Sequence, residues 1–143
     1  MKKNLCILVV SLLAGFVFIS CSKNDKASGI PTSLAAGDEI ILSSMSPLGH
    51  GFFRALSSST GQWAQTSQPT ISPSYSSATY TYQLTGDNTA RLSSNDRQSL
   101  TGRSWIIMLD LTFDTPNSGS YQLKDIATAS GVSYTTKGTF TLK

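Results

Sequence analysis

Between Arg103 and Phe113 the chain alternates. Trp105, Ile107, Leu109, Leu111 and Phe113 fall on one side of an extended backbone and would scatter around a helix. A period of two held over the nine residues from Trp105 to Phe113 is the pattern of a strand with one buried side. Ile106 and Met108 occupy the other side, so the first half of this strand is expected to be covered on both faces. Tyr80, Tyr82 and Leu84 repeat the alternation against Thr79, Thr81 and Gln83, and Gly86-Asp87-Asn88 supplies a reversal before Thr89 to Ser93 return. Strands joined this way bury one face and wet the other.

The remaining segments follow the same grammar. Ile40, Ile41 and Leu42 lie in a strand over Asp38 to Met45. Ser46-Pro47-Leu48-Gly49 is a turn, and Gly51 to Leu56 is the next strand. Ser57 to Ser77, dense in Ser, Thr, Gln and Pro, predicts one short strand around Gln62 to Thr66 and a long loop. Asn95 to Gly102 reads as loop, Asp114 to Gly119 as a hairpin, and Tyr121, Leu123, Val132, Tyr134, Phe140 and Leu142 as the closing strands. Outside the N-terminal run no stretch shows helical apolar spacing, and Asp125 to Ser130 has room for a single turn. The expected fold is all-β: an antiparallel meander, sandwich or small barrel, of about seven or eight strands.

Composition limits what such a domain can do. Forty of the 143 residues are Ser or Thr, and only 13% are charged. Arg54, Arg91, Arg97 and Arg103 are scattered, with no clustered basic face for nucleic acid. The two cysteines are Cys6 and Cys21, both near the N-terminus, so no disulfide is expected inside the β domain.

The N-terminus is a separate unit. Lys2 and Lys3 precede an apolar run from Leu5 to Ile19 whose only polar side chain is Ser11. As a helix it would reach about 22 Å, short of the roughly 30 Å of a bilayer core and suited to a secretory signal. Phe18-Ile19-Ser20-Cys21 resembles the lipobox of bacterial lipoproteins, although Phe18 stands where that family usually has Leu. The resemblance implies cleavage before Cys21, acylation of its thiol and new amino terminus, and attachment to a membrane. Ser22, in place of the Asp that holds enteric lipoproteins at the inner membrane, implies the outer membrane. Removing the first 20 residues leaves 123, with 9 basic against 8 acidic side chains. Residues 21–36, small and polar with neither period, are expected to be a flexible tether, and 37–143 the β domain.

A second resemblance is to a recurring motif of bacterial secreted proteins: a Tyr-Thr-Tyr strand, a Thr-Gly-x-Asn-Thr-Ala turn and a returning Leu strand. Here these are Tyr80-Thr81-Tyr82, Thr85 to Ala90 and Leu92. Ser118-Gly119-Ser120-Tyr121 and Gly138 to Leu142 match its later elements. It implies a β-meander and carries no activity.

Catalytic groups are sparse. His50 is the only histidine, it sits in Gly49-His50-Gly51 beside a turn, and no Gly-x-Ser-x-Gly elbow is present. The carboxylates Asp38, Glu39, Asp87, Asp96, Asp110, Asp114 and Asp125 fall mostly at strand ends or turns, where Asp bonds local backbone. Asp110, in mid-strand on the side opposite Trp105, is expected to meet solvent or an Arg on the neighbouring strand. No metal site is expected, because imidazole and thiolate ligands are lacking and the acidic spacing is not that of an EF-hand. The candidate ligand contacts are Trp63 and Tyr75, in the most irregular segment, where a flat ring could stack on a sugar.

The chain is therefore expected to be a noncatalytic, lipid-anchored envelope protein, needing no cofactor, whose β domain is a structural surface or binds a glycan or protein. Two alternatives are a lipocalin-like carrier, which requires an interior cavity above about 300 Å³, and an enzyme inhibitor inserting a loop such as Ser57 to Ser77.

Overall fold

The computed structural model describes residues 29–45, 49–66, 74–97 and 104–143. Its elements are eight strands: β1 (Glu39–Met45), β2 (Gly49–Ala55), β3 (Thr60–Thr66), β4 (Ser74–Gly86), β5 (Thr89–Arg97), β6 (Ser104–Thr115), β7 (Ser118–Ala127) and β8 (Ser133–Leu142). Each pairs antiparallel with the next, and β1 pairs with β8, so the meander closes into a barrel. Closure removes the exposed edges that an open sheet of this length would offer to other chains. The all-β expectation holds, and of the two architectures the barrel is the one formed.

At eight strands a barrel interior is just wide enough to be filled by side chains. The alternating residues fill it. Leu109, Leu111 and Phe113 of β6 point inward with Leu92 of β5 and Leu123 of β7. Phe53 packs its ring 4.9 Å from Tyr80 and 5.1 Å from Trp63, while Phe113 meets Phe140 edge-on at 5.0 Å. The outer wall carries Thr81, Gln83, Arg91, Gln122, Lys124 and Lys137, all exposed. This is the reverse of a transmembrane barrel, whose apolar side faces lipid. Ile106 corrects one expectation: it is 38% exposed, because a barrel wall has water on its outer side and no second layer to cover it.

The seam is the shortest ladder. Only Ile40, Ile41 and Leu42 pair with β8 before β1 bulges away. Side chains extend it: Ser43 Oγ accepts from the Thr139 amide at 2.9 Å, and the Tyr121 hydroxyl donates to the Ser44 carbonyl. Tyr121 crosses β8 at Gly138, where an added Cβ would stand 2.9 Å from the tyrosine ring. On the outer wall Arg91 and Asp110, paired across β5 and β6, make two hydrogen bonds at 2.5 and 3.0 Å, the neighbouring-strand partner expected for Asp110. Both side chains are about 45% exposed, so the pair contributes at most about 1 kcal/mol.

Four further sequence expectations change. Residues 29–36, read as tether, lie against one end of the barrel. Leu34 is 3% exposed within the core, Ile30 packs beside it, and the Tyr82 hydroxyl donates to the Pro31 carbonyl at 3.2 Å. The stretch looked featureless because a plug of one leucine has no period to detect. The region Ser57 to Ser77, expected to be mainly loop, contains all of β3 and the start of β4. Asn95 to Arg97 likewise belongs to β5, and the stretch allotted a helical turn divides, with Asp125 to Ala127 completing β7 and Thr128 to Ser130 forming a turn. Polar strands of this kind are specified by their neighbours' hydrogen bonds more than by their own pattern.

Candidate functional site

The meander has two unlike ends. One carries the β2–β3, β4–β5 and β6–β7 hairpins and the β8 terminus, and is covered by the segment that ends at Asp38. There the Gly37 amide donates to the Ala55 carbonyl at 2.9 Å, and Glu39 and Lys143 exchange backbone hydrogen bonds. The other end carries the β1–β2, β3–β4, β5–β6 and β7–β8 connections. Among its described inward residues are the buried polar side chains Ser94, Asp96 and Asp125.

That polarity comes from register. Leu92, Ser94 and Asp96 share the inward face of β5, as Tyr121, Leu123 and Asp125 share that of β7. Asp96 stands opposite Trp105 of β6, and Asp125 stands between Ile107 of β6 and Tyr134 of β8. Asp96 is 5% exposed and Asp125 is 3% exposed. β6 runs between the two, with Asp96 at the level of Trp105 and Asp125 at that of Ile107. Trp105 and Tyr134 have ring centroids 6.4 Å apart, tilted by 38°. Both line a cleft of about 390 Å³ with Ser104, Ala127, Ser130 and Val132. Two buried atoms here, Trp105 Nε1 and Asp125 Oδ1, make no hydrogen bond. A buried polar atom left in that condition costs about 1–3 kcal/mol, so native structures contain few of them.

Burial, reinforced by the negative charge of Asp96, pushes the Asp125 carboxyl from 3.8 up to about 6. The titratable groups facing it are Asp96 and, across β8, Tyr134. The native state then holds more protons than the unfolded chain between pH 3.8 and about 6, so this group's contribution to stability falls as pH rises through that window. Asp125→Asn abolishes the charge. It should stabilise the fold at pH 7.5 by up to about 3 kcal/mol and leave it unchanged near pH 4. Urea denaturation of both proteins at the two pH values measures this, and an equal difference at both would refute it.

The residues expected to contact ligand are placed differently. Trp63 is 2% exposed and donates from Nε1 to Ser94 Oγ at 2.8 Å. It is an interior residue and offers no open face for a sugar. Tyr75, on β4, pairs through its backbone with Ala64 of β3, and its side chain lies outside the described residues. His50 lies on β2 opposite Thr66, and its side chain also falls outside them. Cys21 and the signal segment are likewise beyond the described range. Among the described residues no group of three or more His, Cys, Asp or Glu is placed to hold a metal ion.

Asp96 and Asp125 were missed because Asp was read as a turn residue. The alternation Tyr121, Leu123, Asp125 carried the signal for one of them. For the other, Ser94 had already broken the apolar pattern between Leu92 and Asp96. The second surface groove, of about 340 Å³, runs along the outer wall past Thr79, Thr81, Ser93, Asn95 and Ile106. Its lining includes the buried Ser94, whose hydroxyl already accepts from the Trp63 indole.

Fold and site together define a class: a closed, eight-stranded meander barrel with a packed interior, one covered end and one acidic, aromatic mouth. No family model, curated protein or solved structure matches the chain.

Proposed function

We propose that the protein is a noncatalytic binding module of the bacterial envelope, held at the outer membrane by lipid on Cys21, with the acidic mouth as its binding surface. The observation that carries the binding reading is the mouth itself. It combines a cleft of about 390 Å³ with buried polar atoms that no protein group satisfies, at the end of the barrel opposite the covered one. The anchoring reading rests on the lipobox and the short apolar run before it. Two or more acyl chains, at about 0.8 kcal/mol per buried methylene, hold a protein durably where one chain would not. The covered end also suits this arrangement. Seven residues separate Cys21 from Gly29, which span at most about 25 Å, so the covered end would be held near the bilayer and the mouth turned away from it.

The lipocalin-like alternative needs an enclosed chamber, and the described interior is filled by Phe53, Trp63, Leu109 and their neighbours. The inhibitor alternative needs a protruding segment within Ser57 to Ser77, much of which is strand.

The anchoring test is Cys21→Ala. Wild-type protein should sediment with membranes, partition into detergent, and yield an N-terminal peptide heavier by a diacylglyceryl group and an acyl chain. The variant should lose that modification and appear in the soluble fraction. Membrane partition unchanged by the substitution would overturn the anchoring reading and leave the mouth's chemistry to be judged separately.

A further inference from the structure

We infer that the part of β8 left unpaired at the seam, Ser133 to Lys137, is a docking edge for an extended segment of a partner protein, which adds antiparallel to β8 with acidic side chains on its outward positions. This surface lies on the barrel wall and does not depend on what the cleft holds.

The edge follows from the seam. β1 pairs with β8 only from Ile40 to Leu42, opposite Phe140 to Leu142, and then shifts register against β2 between Leu42 and Met45. Beyond that ladder Ser43 Oγ accepts from the Thr139 amide and the Ser44 carbonyl accepts from the Tyr121 hydroxyl. β7, in contrast, stays in unbroken register with β8 as far as Ser133. In an antiparallel ladder the N–H and C=O of one residue point to the same side, and the sides alternate along the strand. Thr139 and Lys143 turn theirs toward β1, while Val132 and Leu142 turn theirs toward β7. Ser133, Thr135 and Lys137 therefore each aim an N–H and a C=O away from β7, and among the described residues no strand pairs with them on that side. All three are exposed. Tyr134 is 42% exposed although it stands opposite the buried Asp125 on the inward face, as befits a side chain with no strand beside it.

Spacing decides the class of partner. The outward-aimed groups recur every second residue, about 6.8 Å apart. An extended backbone matches that repeat, which is how sheet edges take up peptides; a sugar, an ion or a lipid headgroup does not. Charge decides which peptide. Lys137, and Lys124 of β7 opposite Thr135, are exposed on the outer wall. Asp125, the one acidic residue of β7 and β8, faces inward. Acidic side chains on the outward positions of an added strand would meet both lysines. A second copy of this chain would instead bring lysine-bearing faces together, and lysine on an edge is a recognised guard against self-pairing. On the inward side the added strand passes Tyr134, where a β-branched residue packs well across from an aromatic ring.

The probes are end-blocked heptapeptides titrated into full-length ¹⁵N-labelled protein in detergent micelles. One alternates glutamate and valine, one has lysine in place of glutamate, and one carries the same glutamates and valines in two blocks. The alternating acidic peptide should shift the Thr135 and Lys137 amide signals saturably and slow their exchange with solvent at least tenfold. The lysine and block peptides should bind at least tenfold more weakly. N-methylation of the glutamate amides, which face β8 in an antiparallel ladder, should abolish binding, whereas N-methylation of the valine amides, which face away, should not. Lys137→Glu, at an exposed position, should keep its melting temperature and bind the acidic peptide at least tenfold more weakly. Equal binding of the acidic and lysine peptides would overturn the charge assignment, and equal binding of the two methylated peptides would overturn strand addition. Protection of the Thr135 and Lys137 amides without peptide, rising with protein concentration, would identify a second copy as the occupant and overturn the assignment to a partner. No saturable shift with any peptide up to about 1 mM would overturn the docking edge altogether.

Discussion

Phe53→Ala should destabilise the barrel by about 3–5 kcal/mol, lowering the melting temperature by some 10–20 °C. Phe53 has 0% exposure, and its ring is the hub of the aromatic cluster at the covered end, touching Trp63 and Tyr80. Truncation removes the transfer contribution of the ring, both edge contacts, and the support of two large neighbours. Those neighbours cannot collapse inward, because each is tied by a hydrogen bond, Trp63 to Ser94 and Tyr80 to the Ser57 carbonyl. A cavity would therefore persist, and the cost should lie near the upper part of the range. Leu84→Ala is the control: Leu84 is 41% exposed on β4, and its loss should change stability by about 0.5 kcal/mol or less. Urea unfolding followed by circular dichroism measures both. A Phe53→Ala effect below that of Leu84→Ala would mean that the interior is not packed around this ring.

Gly119→Ala should cost about 3 kcal/mol, a large effect for one methyl group. Gly119 follows the β6–β7 reversal, opposite Phe113 on one side and Phe140 on the other. A Cβ at this position would collide with the carbonyl oxygen of Thr112. Backbone cannot rotate out of the way as a side chain can, so the hairpin itself must move. That movement would disturb the Thr115 to Ser118 pairing and the hydrogen bond from the Leu142 amide to the Asn117 carbonyl at 2.7 Å, which ties the hairpin to the C-terminal strand. Ser120→Ala, one residue on and exposed on the outer wall, should be close to neutral. Amide exchange should accelerate across the hairpin and in the last residues of β8 in Gly119→Ala. Exchange unchanged at both would show that the close approach is relieved without cost.

The acidic mouth sets stability against binding. Asp125 is held where it is harder to ionise, so removing its charge should make the protein more stable at neutral pH. Sites that retain an unfavourable buried group commonly do so because a ligand completes them.

The strands were legible wherever one face was apolar. Trp105 to Phe113 and Tyr80 to Leu84 announce their period because burial of alternate side chains is imposed residue by residue, within a local window. Asp110's cross-strand arginine was anticipated on the same ground, since its face of the strand was already fixed. Leu34, Ser94 and Asp96 were not legible. Leu34 is a lone plug, and the polar half of the β5 inward face imitates a loop. Closure was beyond the sequence as well. Whether seven or eight antiparallel strands stop as a sandwich or join into a barrel depends on Ile40 to Leu42 reaching Phe140 to Leu142, about a hundred residues away in the chain. Local alternation determined that this protein is made of strands. Only the tertiary ladder, by joining the two ends of the chain, decided which carboxylates face inward and which end of the barrel the N-terminal segment covers.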